Sequence, residues 1–193
     1  MTDWGVHLID FALYGMKSGM PKSMVATGGK LAFADSGMQT PDTQMALYDF
    51  GDYAITWEHG MGVSAGLYGN NYCGVAFVGT NGTLVVDRDK WRLFPETDNG
   101  QYLIPAMPEQ RSGGKDLAIH VKNFVDCIRS RNKPACDVET ARKVAVVSHL
   151  GNIALRTGRK VTYDESTNSF PGDKEATAMI RPNYREPWKF PKV

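Results

Sequence analysis

The sequence predicts an α+β fold: an open, mainly antiparallel β-sheet with helices packed on one face. Three observations carry that prediction. A single helical stretch opens the chain, a run of about five or six short strands follows, and two helices come after them. The strands are joined by short polar turns rather than by crossover helices, so the β-α-β alternation of a doubly wound parallel sheet is missing. The expected organisation is one α+β domain over residues 1–163, with residues 164–193 as an extended tail wrapping it.

Residues 3–15 read as the first helix, with Val6, Leu8, Ile9, Phe11, Ala12 and Leu13 as its apolar positions and Gly15 placed to stop it. Strands are expected at Met24–Thr27, Gln44–Phe50, Tyr53–His59, Val75–Val78 and Thr83–Val86, all rich in β-branched or aromatic residues. Gly51-Asp52 and Asn81-Gly82 are hairpin-type connections, and Asp89-Lys90 leads into a further strand from Trp91 to Phe94. Residues 95–115, with their prolines and glycines, read as a surface connection. Leu117, Val121, Phe124 and Ile128 then form the stripe of a second helix that Pro134 cannot continue. The third helix begins at Asp137 as N-cap and ends at Gly158, and Val161–Tyr163 suits a last strand. The outer face of the sheet needs a cover that the two following helices do not supply, which points to another subunit or domain.

The totals exclude several classes. With 193 residues, 42% hydrophobic content and a net charge of +1, the chain has the composition of an ordinary soluble globular protein. No Lys/Arg cluster offers a footprint for nucleic acid, and no apolar run approaches the ~20 residues of a membrane span. Residues 1–16 carry Asp3, His7 and Asp10 and lack a basic leader, so they do not read as a signal peptide. The compartment, cytoplasmic or periplasmic, stays open. Cys73, Cys127 and Cys136 have neither C-x-x-C spacing nor an even count, which suits free thiols rather than a disulfide or zinc site.

The chemistry concentrates at the start. Asp3 and His7 stand four residues apart, on one face of the predicted helix. A carboxylate so placed can hold the imidazole in one tautomer, which suits a general base near neutral pH. Asp3 also stands where an N-cap would, and both roles can coexist. Asp10, one turn beyond His7, either extends the polar face or hydrogen-bonds to the sheet. These three could be imagined as metal ligands, but no second cluster at ligand spacing accompanies them, and metal is set aside. His120 and His149 read as ordinary helix residues.

The ordered set of motifs resembles the C-terminal domain of the Gfo/Idh/MocA oxidoreductases, the family of glucose-fructose oxidoreductase and inositol dehydrogenase. Asp3-Trp4-Gly5-Val6-His7-Leu8-Ile9-Asp10 looks like its D-x-x-x-H-x-x-D helix, and Gly79-Thr80-Asn81-Gly82-Thr83-Leu84 looks like its G-T-x-G-T hairpin. His120–Pro134, Gly158–Val161, Phe170–Ala176 and Tyr184–Trp188 resemble later segments of the same domain, the last two in a bacterial subgroup.

That resemblance implies a sugar or polyol substrate, His7 as the base taking its hydroxyl proton, and Asp3 orienting His7 or touching the same hydroxyl. It implies NAD or NADP in a full-length protein, held by a Rossmann domain that also carries an E-K-P lysine. Neither is found in these residues. Gly60-Met61-Gly62-Val63-Ser64-Ala65-Gly66 departs from G-x-G-x-x-G by one place and sits among strands, and Lys133-Pro134 follows Asn132 rather than Glu. The chain alone is expected to bind no dinucleotide and to be inactive. Trp4, Asp10, Trp57, His59 and Tyr68 are candidate substrate contacts, the aromatics because their faces suit the apolar side of a sugar ring. Aromatics on an open sheet also suit oligomer contacts, and a homo-oligomer through the sheet face is expected. Two alternatives stay beside this reading: an NAD-dependent glycosidase-type enzyme of the same family, and a non-catalytic binding or assembly module.

Overall fold

The computed structural model describes residues 1–63, 72–113, 116–181, 184–189 and 191. In chain order the elements are α1 (Trp4–Met16), β1 (Ser23–Gly29), β2 (Thr43–Asp49), β3 (Ala54–Gly60), β4 (Val75–Gly79), β5 (Gly82–Val86), β6 (Lys90–Pro95), β7 (Thr97–Asp98), β8 (Gln101–Tyr102), β9 (Gln110–Arg111), α2 (Asp116–Ser130), α3 (Val138–Thr157), β10 (Val161–Thr162) and α4 (Lys174–Ala178). Every strand pair among the described residues is antiparallel. The α+β reading therefore holds. The strands fall into two four-stranded sheets, ordered β10-β1-β2-β3 and β4-β5-β6-β9, plus the β7-β8 ribbon. The chain divides into two compact units: residues 1–2, 19–60 and 146–193 form one, and 3–18 with 61–145 the other.

The first unit is built on β1–β3. Register sets Met24 abreast of Tyr48 and Ile55, and Ala26 abreast of Ala46 and Trp57. Met24, Tyr48, Ala46 and Trp57 are buried, whereas Val25, Met45 and Leu47, on the opposite face, are exposed. The second half of α3 supplies the cover, with Val147, Leu150 and Ala154 at helical spacing and all buried. Gln44 Nε2 donates to the Gly151 carbonyl at 3.2 Å. A Cβ at Gly151 would overlap the Tyr48 hydroxyl, so glycine here serves close packing rather than flexibility.

The buried Asp42 pins the chain before β2. Its carboxylate accepts from the backbone N–H groups of Leu31, Ala32 and Phe33 at 2.9–3.2 Å and from the Thr43 hydroxyl at 2.8 Å. Burial alone would raise its pKa, but the donors together outweigh burial and hold it at about 2. The segment after β10, expected as an extended tail, instead folds back on itself. Asp164 accepts from the Ser166 N–H and the Ser166 and Thr167 hydroxyls, and Asp173 caps α4 through the Ala176 N–H. Arg159 grips Asp173 through Nη2, at 2.8 and 2.9 Å, and through Nε at 3.2 Å.

In the second unit β4, β5 and β6 form consecutive hairpins, each turn displaced by one residue from the expected position. Gly79 pairs with Gly82, so Thr80-Asn81 is the loop and Gly82 lies in the strand. A Cβ at Gly82 would sit 2.8 Å from the Phe94 carbonyl, so this glycine lets β6 approach. The next turn centres on Arg88-Asp89, closed by the Asp87 N–H to the Lys90 carbonyl at 2.9 Å. Gly15 does not stop α1. The helix ends at Lys17 in the left-handed region, and a Cβ at Gly15 would lie 2.5 Å from the Phe77 ring. Asp137 does cap α3, accepting from the Glu139 and Thr140 N–H groups at 2.8 and 2.9 Å. Gly158, at a φ of +65°, follows its last turn. The predicted stripe of α2 is present but exposed: Leu117 76%, Val121 50%, Phe124 57%, Ile128 50%.

Candidate functional site

In the second unit, α1 begins with an uncommitted carboxylate. Asp3 holds the N-cap position and its carbonyl accepts the first helical bond from the Val6 N–H, but its side chain makes no cap bond. Asp3 and His7 are both exposed, so neither is sealed in the interior. No hydrogen bond or ion pair among the described residues joins them directly. Asp10 is half-buried, and burial raises its carboxyl pKa while the charge of His7 opposes that rise.

Trp4 gathers neighbours that sequence reasoning did not single out. Its ring centroid is 6.3 Å from that of His7 and 6.1 Å from that of Tyr72, both edge-on. The Arg88 guanidinium carbon lies 5.2 Å from the Trp4 centroid, on the ring face. Trp4 remains 41% exposed, so the indole is open to a ligand despite this company. Nothing at Tyr72 or Arg88 marks them locally, because only the β5–β6 hairpin and the approach to β4 bring them to Trp4.

Trp57 and His59 belong to the first unit and face its helix-covered side. Trp57 is 6% exposed, and its indole N–H donates to His59 Nδ1 at 2.9 Å. That bond leaves Nε2 to carry the proton of the neutral ring. Burial lowers the His59 pKa, against a bond to the Pro41 backbone and the nearby Asp42 carboxylate. The polar atoms of this pair are engaged within their own unit. Tyr68, and Ser64–Gly66 of the glycine-rich stretch, lie outside the described residues.

No group of three or more His, Cys, Asp or Glu among the described residues could hold a metal ion. No helix among them is long and apolar enough to cross a membrane.

The described residues form an α+β fold of antiparallel sheets and helices, with Asp3 and His7 exposed at the start of α1. Residues 80–190 match the family described as "Oxidoreductase family, C-terminal alpha/beta domain", GFO_IDH_MocA_C2, and the chain belongs to that family. No curated protein matches the chain by sequence. Among solved structures it is similar to a levoglucosan dehydrogenase in complex with NADH and levoglucosan, at 15% identity and a TM-score of 0.63 over 83% of this chain and 49% of that one. It is also similar to an aldose-aldose oxidoreductase from Caulobacter crescentus complexed with glycerol, at 15% identity and 0.60, covering 82% and 45%. A third likeness is to the WlbA dehydrogenase from Bordetella pertussis in complex with NADH and UDP-GlcNAcA, at 15% identity and 0.55, covering 83% and 44%. The chain spans about half the length of these structures.

Proposed function

We propose that this chain is the substrate-binding and oligomerisation domain of an NAD(P)-dependent oxidoreductase acting on a sugar or polyol. His7 takes the proton of the substrate hydroxyl, and Asp3 lies one helical turn before it on the same helix end. Trp4 offers its face to the apolar side of the sugar, and Asp10 backs His7 from within. The observation that carries the reading is the exposed start of α1, where the Asp3 carboxylate is not spent on capping its own helix. NAD or NADP is assigned to a companion dinucleotide-binding domain, and no cofactor contact is assigned to these residues. Self-association is assigned to the outer face of β1–β3, where Val25, Met45 and Leu47 are exposed side by side.

The decisive test is kinetic. With the dinucleotide-binding domain in place, His7→Ala lowers kcat for sugar-dependent NAD(P) reduction about 10²- to 10⁴-fold. Unchanged turnover refutes the assignment. Leu47→Glu should shift the sedimenting species to monomer, and an unaltered assembly would refute the proposed face.

A further inference from the structure

Arg88 sits at the tip of a rigid turn. The Asp87 carboxylate accepts the N–H groups of Asp89 and Lys90, each at 2.8 Å, while the Ser112 N–H donates to the Asp89 carbonyl at 2.6 Å. Asp87 is thereby occupied with backbone donors. Among the described residues no carboxylate pairs with the Arg88 guanidinium, which instead lies over the Trp4 ring. A guanidinium over an aromatic face loses water on that side and keeps its N–H donors around its edge. Those donors match the two oxygens of a carboxylate or phosphate, a fit that a neutral hydroxyl does not need. Tyr72 meets the same indole edge-on, with 6.1 Å between ring centroids.

Resting on the reading of Trp4 and His7 as substrate-facing groups, we propose that Arg88 is a specificity residue: it recognises an oxyanion substituent, carboxylate or phosphate, on the sugar that lies against Trp4. The substrate class is thereby narrowed from sugars in general to acidic or phosphorylated ones. Arg88 reads the charge while His7 addresses a hydroxyl. Tyr72 and Trp4 contact the apolar ring edges between them.

The experiment is an NMR titration following the Trp4 indole and His7 ring signals, with D-glucose, D-glucuronate and D-glucose 6-phosphate as probes. The expected result is that at least one charged sugar binds about tenfold or more tightly than glucose. Arg88→Gln erases that advantage and Arg88→Lys restores part of it, since a point charge replaces the fork. Whether glucuronate or the 6-phosphate gains more identifies the oxyanion. Equal binding of all three, or a charge preference that survives Arg88→Gln, overturns the inference while the substrate assignment of Trp4 and His7 stands. If none of the three sugars moves either signal, the substrate assignment itself fails and this inference fails with it.

Discussion

His7 and His59 are both imidazoles beside a tryptophan, and their surroundings differ in nearly every respect. His7 is exposed on a helix end, its ring edge-on to a Trp4 that is still 41% open. His59 is half-buried in a strand, bonded to the indole N–H of a Trp57 that is 6% open. The contrast extends to the units around them. Most of the buried apolar side chains, among them Tyr48, Leu150, Val161 and Phe170, belong to the unit of His59. In the unit of His7, the helix α2 turns its whole apolar stripe outward. Each unit also leaves apolar side chains exposed: Val25, Met45 and Leu47 in one, Leu117 and Phe124 in the other. The two rings each have a tryptophan neighbour and differ in exposure and in hydrogen bonding.

Substitutions should split along this line. The largest effect is on turnover: His7→Ala costs the 10²- to 10⁴-fold given above, yet leaves stability within about 0.5 kcal/mol, as for an exposed side chain. His59→Ala should do the reverse, leaving turnover intact and losing about 1–3 kcal/mol because the buried Trp57 N–H has no acceptor. Chemical denaturation measures both, and a fall in turnover for His59→Ala would break the comparison. Gly151→Ala should destabilise by about 1–3 kcal/mol through overpacking against Tyr48, and by less in a Tyr48→Phe background, where the hydroxyl is gone. Equal losses in both backgrounds would place the strain elsewhere.

The smallest effect is a pH limb. Asp42 has a folded pKa of about 2 against an ordinary value of 3.8, so it binds its proton more readily when unfolded. Its contribution is complete above pH ~4 and is lost as pH falls from there toward 2. Asp42→Asn should flatten that limb in acid unfolding curves. An unaltered slope would show that the Leu31–Phe33 backbone bonds do not depend on the charge.

The fold was legible where the signal was local. Asp137 as a cap and Gly158 as a stop each follow from one residue's chemistry, and the structure places both as expected. The strands of β1–β6 follow from their β-branched and aromatic runs, whereas β7–β9 fall in residues 95–115, read as a surface connection. Glycines were read less well. Gly15 and Gly82 look like a helix stop and a turn residue, but they are set by Phe77 and by β6, partners distant in sequence. The return of residues 164–178 was missed because the capping roles of Asp164 and Asp173 depend on a fold-back that proline content hides. At the candidate site, the spacing of Asp3, His7 and Asp10 was readable from helix geometry alone. The stacking of Arg88 on Trp4 was not, because it requires knowing where a hairpin tip lands.

The central claim is that substrate meets the start of α1. A sugar titration resolved at the side-chain signals of both histidine–tryptophan pairs tests it directly. Shifts at Trp4 and His7, with Trp57 and His59 unmoved, are the predicted result. Shifts confined to Trp57 and His59 would contradict the account.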